Sequence, residues 1–129
     1  MDAKELRIGN YIWRTNKNTK EKVLIQLTAS CVLDISSNKE RSSFVYEPVE
    51  LTKERLVSFG FYYGESEEHG YLWIKLKMGE LYVRPSYLGG FYWGFDYNNE
   101  LDNQNNIKYV HKLQNLCLEV TNEELTIKN

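Results

Sequence analysis

The sequence predicts a single α+β domain: a bent antiparallel sheet or small β-barrel with two helices packed on it. Three observations support this fold class: short segments in which apolar and polar residues alternate, turn signals between those segments, and two segments with helical spacing. A chain of 129 residues is also long enough to bury one core. We therefore expect residues 1–129 to form one domain.

The N-terminal part is predicted to consist of strands joined by polar turns. Residues 11–14 form a β-rich segment, and the polar tract 15–21 fits a hairpin loop. Apolar residues then alternate with mostly polar ones over 23–35, which predicts an extended strand. Because this run exceeds the usual strand length, we expect a break near 28–30. The segment FVYEP, 44–48, predicts another strand.

Two segments carry helix signals. Thr52 is a good N-cap and Gly60 stands where a C′ glycine belongs, so we expect a short helix at 53–59. Near the C-terminus, an apolar stripe with helical spacing predicts a longer helix over 107–120. The stripe consists of Tyr109, Val110, Leu113, Leu116, Cys117 and Val120.

The middle of the chain predicts a β-meander rich in aromatic residues. A two-residue turn at Met78-Gly79 would pair Trp73 with Arg84 across a hairpin. One face of that hairpin is then aliphatic, and the other carries Tyr71, Trp73, Lys75, Tyr82 and Arg84. A third strand follows, with rings on one side at Phe91, Trp93, Phe95 and Tyr97. Residues 96–106 are predicted to form a mobile loop.

Composition and charge argue against several classes of function. The chain has 16 basic and 18 acidic residues and a formal charge of −2, so nucleic-acid binding is disfavoured. No apolar run approaches the roughly 20 residues of a membrane span, and nothing resembles a signal peptide. We expect a soluble intracellular protein with no membrane partner and with both cysteines reduced.

The motifs of catalysis and of cofactor binding are weak. Cys117 lies in the apolar stripe, where a buried thiol is the ordinary interpretation. The acidic segment 65–70 lacks the ligand spacing of a calcium or zinc site, and Gly89-Gly90 does not begin a phosphate-binding loop. A modest basic patch on the last helix fits a solvated face and consists of Lys108, His111 and Lys112. We expect no metal, no cofactor and no catalytic residues, which favours a protein that is not an enzyme.

The aromatic meander is the remaining candidate for a binding site. Rings stack on a nucleobase, and an arginine binds phosphate or lies over a ring, so a planar anionic ligand suits this composition. The same rings would equally suit packing within the protein or against another subunit, and both interpretations stay open. The candidate ligand contacts are Trp73, Lys75, Tyr82, Arg84, Tyr87, Tyr92 and Trp93.

Three further segments resemble one family of proteins. ELRIGNYI, EPVELTKERLVSFGF and KYVHKLQNLCLEVTNEEL follow the patterns L-R-x-G-N, P-x-x-L-T-x-x-x-L-x-x-F-G-F and Y-V-H-x-L-Q-N-L. These patterns resemble those of small uncharacterised proteins carried by Bacteroidota phages and prophages. The match covers both ends and the middle of the chain. It departs from the family at 120–122, where valine, threonine and asparagine stand in place of leucine, threonine and glycine.

The resemblance implies a setting and supplies no catalytic residues. It implies a phage-type accessory protein in the cytoplasm of the host bacterium. By analogy with small phage proteins, we expect an anti-defence protein that binds and sequesters a nucleotide-like host immune signalling molecule. The alternative is a protein–protein interaction module that uses its aromatic face, either to inhibit a host protein or to associate with itself as a homo-oligomer.

Overall fold

The computed structural model describes residues 3–37, 42–63, 71–86, 89–95 and 106–128. It confirms the α+β class, with two open antiparallel sheets and short helices. The strands are β1 (Tyr11–Asn16), β2 (Lys22–Gln26), β3 (Phe44–Pro48), β4 (Tyr62–Tyr63), β5 (Leu72–Leu76), β6 (Gly79–Pro85), β7 (Phe91–Phe95) and β8 (Asn106–Ile107). The helices are α1 (Ala29–Ser37), α2 (Lys53–Ser58) and α3 (Val110–Thr121), and a 3-10 turn covers Ala3–Glu5.

The chain divides into two compact units. The first comprises Met1–Val49 and Val110–Lys112, and the second comprises Glu50–Tyr109 and Leu113–Asn129. The first unit contains the three-stranded sheet, in the order β2-β1-β3, and the second contains the five-stranded sheet, in the order β4-β5-β6-β7-β8. One domain over 1–129 stays a prediction.

In the first unit, α1 replaces the second half of the strand that we expected over 23–35. The expected break falls where the helix begins, since the Thr28 hydroxyl accepts a hydrogen bond from the Cys31 amide at 3.4 Å. Ile35 is buried in an apolar cluster, and Val32 packs against the same cluster. Leu33 is 66% exposed, although the alternation placed it on the buried face. The apolar residues of this segment satisfy two periods, and packing selects the helical one.

In the second unit, the predicted hairpin forms in a register shifted by two residues. Trp73 lies opposite Tyr82, and Leu76 lies opposite Gly79, so the turn is at 77–78. A shift by two keeps every side chain on its predicted face. The aliphatic face is confirmed, because its members are almost fully buried: Leu72, Ile74, Leu76, Leu81 and Val83.

Both predicted helices are present. The Thr52 hydroxyl caps α2 by accepting a hydrogen bond from the Arg55 amide at 3.2 Å, and Gly60 has a positive φ of 99° just beyond the helix. Helix α3 begins three residues later than expected because Ile107 pairs with Phe91 in the sheet. No helix in the described part of the chain combines the length and apolar character needed to cross a membrane.

The buried side of α3 differs in part from the predicted stripe. Val110, Leu113 and Cys117 are buried as expected, whereas Tyr109 is 38% exposed. Gln114 is fully buried, although its polarity placed it on the outer face. Its amide donates to Glu124 Oε1 at 3.2 Å and to the Leu125 carbonyl at 3.1 Å, which ties the segment after α3 to the helix.

The turn between β6 and β7 requires glycine at one position. Gly90 has a φ of +76°, in the left-handed region that disfavours other residues. A Cβ there would also lie 2.7 Å from the Ile107 carbonyl oxygen and would meet the Asn106 side chain. Asn106 in turn donates a hydrogen bond to the Gly89 carbonyl.

Candidate functional site

One face of the five-stranded sheet gathers most of the predicted ligand contacts. Trp73 lies directly opposite Tyr82, and Arg84 lies opposite Tyr92. Lys75 follows Trp73 by two residues and therefore points to the same side. We call this side the ring face, defined by Trp73, Lys75, Tyr82, Arg84 and Tyr92.

Two further tyrosines extend the ring face. The Tyr62 and Trp73 rings lie 5.3 Å apart between centroids, and the Tyr71 and Tyr82 rings lie 6.1 Å apart in an edge-to-face arrangement. Tyr62 is 61% exposed, so its ring is open to solvent. The sequence analysis did not select Tyr62, because two residues are too few to show strand periodicity.

The charges of the ring face are unevenly distributed. Lys75 lies opposite Glu80, whose carboxylate accepts a hydrogen bond from the Tyr82 hydroxyl. The Arg84 guanidinium lies 5.7 Å from the centroid of the buried Tyr92 ring, rather than over Trp73. No carboxylate among the described residues forms an ion pair with Arg84. An anion on this face therefore finds its strongest attraction near Arg84.

One predicted contact, Trp93, does not join the ring face. Trp93 lies opposite Val83, which is fully buried on the aliphatic side. Because neighbouring residues of a strand point to opposite faces, Trp93 and Tyr92 cannot contact the same ligand on one face. Tyr87 lies outside the described residues, as do the acidic segment 65–70 and most of the predicted loop at 96–106.

The surroundings of the Cys117 thiol are those of a packed core residue. Cys117 is fully buried, and its sulfur lies 3.6 Å from the Thr121 hydroxyl. Both cysteines are thiols. Among the residues that the structure describes, no three His, Cys, Asp or Glu side chains converge to hold a metal ion.

The predicted basic patch on α3 does not include an exposed histidine. His111 is 1% exposed, and its Nε2 lies 3.5 Å from Glu5 Oε2. The Lys112 ammonium group binds the other oxygen of Glu5 at 2.9 Å. Burial lowers the pKa of His111, against the opposing effect of Glu5. The hydrogen bond from Lys112 holds the pKa of Glu5 below its usual value, against a smaller effect of burial.

The first unit contains a group of polar residues that the sequence analysis missed. This polar cluster consists of Arg14, Cys31, Asp34, Ser42 and Tyr46. Asp34 Oδ2 accepts hydrogen bonds from the Ser42 hydroxyl at 2.5 Å and from the Tyr46 hydroxyl at 2.9 Å. Burial and the bond to Asp34 raise the pKa of Tyr46 well above its usual value.

Cys31 is the half-buried thiol of this cluster. It lies in the first turn of α1, and the Thr28 hydroxyl donates a hydrogen bond to its sulfur at 3.3 Å. Burial raises the pKa of Cys31, but the hydrogen bonds from Thr28 and the charge of Arg14 outweigh it, so the pKa lies below its ordinary value. In the sequence, the helical spacing of Thr28, Cys31 and Ile35 indicates helix α1. The alternating pattern of the same segment instead favoured a strand.

The fold and these surfaces define a small α+β protein with an aromatic sheet face in one unit and a polar cluster in the other. Comparisons with protein-family models, with curated proteins and with solved structures found no match. The resemblance to the phage family therefore stays a prediction.

Proposed function

We propose that the protein is a non-enzymatic binding protein whose ring face holds a planar, anionic molecule of the nucleotide type. One observation supports this above all: Trp73 and Tyr82 lie side by side on adjacent strands, and Arg84 follows two residues further along. Rings stack on nucleobases, and a guanidinium pairs with phosphate through parallel hydrogen bonds. The ring face thus offers a partner to each half of a nucleotide.

The magnitudes are consistent with moderate affinity. Stacking on two rings at about 1–3 kcal/mol each, with one charge-assisted hydrogen bond of about 1.5–3 kcal/mol, gives about 4–9 kcal/mol. That range corresponds to dissociation constants from about 1 mM to about 0.3 μM. Since Glu80 lies opposite Lys75, we expect the phosphate to lie near Arg84 and the base over Trp73 and Tyr82.

The resemblance to the phage family supports a more specific proposal. The ligand would be a nucleotide-derived immune signal of the host bacterium, and the protein would sequester it in the host cytoplasm and so block defence. Sequestration requires binding alone, which suits a ring face that needs no nucleophile or metal.

A second candidate function is protein–protein interaction through the same sheet. Tyr62 is 61% exposed, and Met78, in the β5–β6 turn, is 62% exposed. Large exposed apolar side chains are typical of protein interfaces. The partner would be a host protein or a second copy of this chain.

Thermal unfolding with a panel of cyclic and adenosine-derived nucleotides tests the first proposal. A bound nucleotide raises the melting temperature by mass action, and both Trp73→Leu and Arg84→Gln should reduce that rise. The control is Lys53→Gln, which removes an exposed positive charge on α2 and should leave the rise unchanged. If no nucleotide changes the melting temperature and native mass spectrometry finds no retained ligand, the proposal is wrong.

Light scattering after size-exclusion chromatography tests self-association. If the ring face joins two copies, the wild-type protein is a dimer at micromolar concentration and Tyr62→Ser shifts it toward monomer. A wild-type monomer at every concentration would contradict self-association through this face.

A further inference from the structure

The first unit contains a cavity at the polar end of the space between α1 and its sheet. Ile12 and Arg14 lie on the same side of β1, because they are two residues apart. Ile12 belongs to the buried apolar cluster, whereas Arg14 lines the cavity. Tyr46 lies opposite Arg14 and touches both regions. The covered side of the sheet therefore changes from apolar to polar along the strand.

The cavity has the size of a small metabolite. It consists of two adjoining recesses, a more enclosed one of ≈ 260 Å³ and a shallow one of ≈ 390 Å³ that is largely open to solvent. Both recesses are lined by Asp34, Ser42, Phe44 and Tyr46. Ligand cavities in proteins generally range from about 300 to 1,000 Å³, so this one suits a molecule of about amino-acid size.

The Arg14 side chain lines the larger recess and lies against the Phe44 ring. Its guanidinium carbon lies 4.4 Å from the centroid of the Phe44 ring. Stacking on a ring occupies the flat side of the guanidinium and leaves its N–H edge available to an acceptor in the plane. No carboxylate in the described part of the chain forms an ion pair with Arg14.

Asp34 supplies a negative charge to the same recess. Its Oδ2 atom accepts both hydrogen bonds, from Ser42 and from Tyr46, and these bonds fix the orientation of the carboxylate. Among the described residues no donor contacts Oδ1. Arg14 and Asp34 thus line the larger recess with opposite charges and do not form an ion pair with each other, whereas Lys17 lines the smaller recess beside Asp34.

We propose that this cavity binds a small zwitterion of the amino-acid type, with its carboxylate on Arg14 and its ammonium group on Asp34. A simple anion would be attracted by Arg14 but repelled by Asp34. A simple cation would be attracted by Asp34 but repelled by Arg14. A molecule with both charges gains from both residues. The hydroxyls of Ser30 and Ser43, which also line the larger recess, add hydrogen-bonding partners. The site is independent of the ring face, so neither proposal depends on the other.

Alkylation of Cys31 by iodoacetamide reports occupancy, because its side chain lines the same recess. The probes are glycine, L-serine and L-glutamine, with acetate and methylammonium as single-charge controls. We expect at least one zwitterion to slow alkylation in a saturable manner, by about threefold at twice its dissociation constant. Acetate and methylammonium should slow it less at equal concentration.

The variants are Arg14→Gln and Asp34→Asn, each compared with and without probe so that changes in intrinsic thiol reactivity cancel. Asp34→Asn keeps an acceptor for Ser42 and Tyr46 while removing the charge, and thermal unfolding verifies that each variant is folded. Both variants should lose the protection, whereas Lys22→Gln, an exposed change on β2, should keep it. The proposal is overturned if no zwitterion protects Cys31, if acetate protects equally well, or if protection survives in both variants.

Discussion

The ring face and the polar cluster differ in how their side chains are brought together. The ring face is assembled by neighbouring strands of a meander, so its members are close in sequence and alternate regularly. The polar cluster combines residues of β1, α1 and β3 with Ser42, and its central hydrogen bond joins Asp34 in α1 to Tyr46 in β3. A sheet face can therefore be predicted from alternation, whereas a cavity between helix and sheet depends on tertiary packing.

The two thiols give the largest predicted contrast between the units. Cys31 lines a recess and has a lowered pKa, whereas Cys117 is fully buried. We expect Cys31 to react with iodoacetamide more than about 100-fold faster than Cys117 in the native protein, since a buried thiol reacts only when the structure opens. Peptide mass spectrometry after timed quenching measures both rates, and denatured protein provides the control in which they converge. Similar native rates would show that the buried side of α3 opens readily.

The two faces of the five-stranded sheet should differ in their effect on stability. Leu81 is 1% exposed on the aliphatic face, so Leu81→Ala should lower the free energy of unfolding by about 2–5 kcal/mol. Tyr62→Ser on the ring face should cost less than about 1.5 kcal/mol, the usual value of one ring pair. Urea denaturation measures both. If Tyr62→Ser costs as much as Leu81→Ala, the ring face is packing rather than an available surface.

The same chemical change should have different effects in the two regions. Tyr46→Phe removes a hydroxyl that donates to the Asp34 carboxylate, and we expect it to cost about 1–2 kcal/mol. Tyr62→Phe removes an exposed hydroxyl and should change stability by less than about 0.5 kcal/mol. Matched urea denaturation curves provide the measurement. Equal effects would mean that the Tyr46–Asp34 hydrogen bond contributes little net free energy.

The smallest predicted effect is a dependence of the first unit on pH. Folding lowers the pKa of His111, so the stability it contributes is complete above its ordinary value of 6.5 and declines as the pH falls through it. Folding also lowers the pKa of Glu5, whose contribution is present above 4.5 and declines below that value as the carboxylate takes up a proton. Between pH 7 and 5 we expect the melting temperature to fall by about 3 °C.

Two substitutions separate the groups responsible for that dependence. His111→Gln should flatten the slope between pH 7 and 5, because the buried imidazole is then absent. Glu5→Gln should lower stability above pH 4.5, where Glu5 contributes, and should remove the decline that Glu5 causes below pH 4.5. The Lys112 ammonium group also faces Glu5, at 2.9 Å. An unchanged slope in His111→Gln would assign the pH dependence to other groups.

Much of the sheet could be predicted because a strand has only two faces. The hairpin register was wrong by two residues, yet Trp73, Tyr82 and Arg84 were assigned to one face correctly, since an even shift preserves the faces. Including both Tyr92 and Trp93 in one site ignored the same rule.

The rest depended on packing that sequence does not display. Helix α1 was predicted as strand because Cys31, Leu33 and Ile35 alternate, and the choice between two periods is made by the sheet beneath. The burial of Gln114 could not be predicted from the sequence either, because the acceptors of its amide lie in the segment beyond α3.

Gly90 limits how sequences related to this protein can vary. Its positive φ and the nearness of the Ile107 carbonyl oxygen leave no room for a side chain. Substitution of the nearby aromatic residues leaves the backbone of the turn intact, whereas substitution of Gly90 would distort it. We expect related sequences to differ in their aromatic residues and yet to retain a glycine at the β6–β7 turn. Such a glycine, followed by a short strand and an apolar helix, is a better indicator of homology than the aromatic residues.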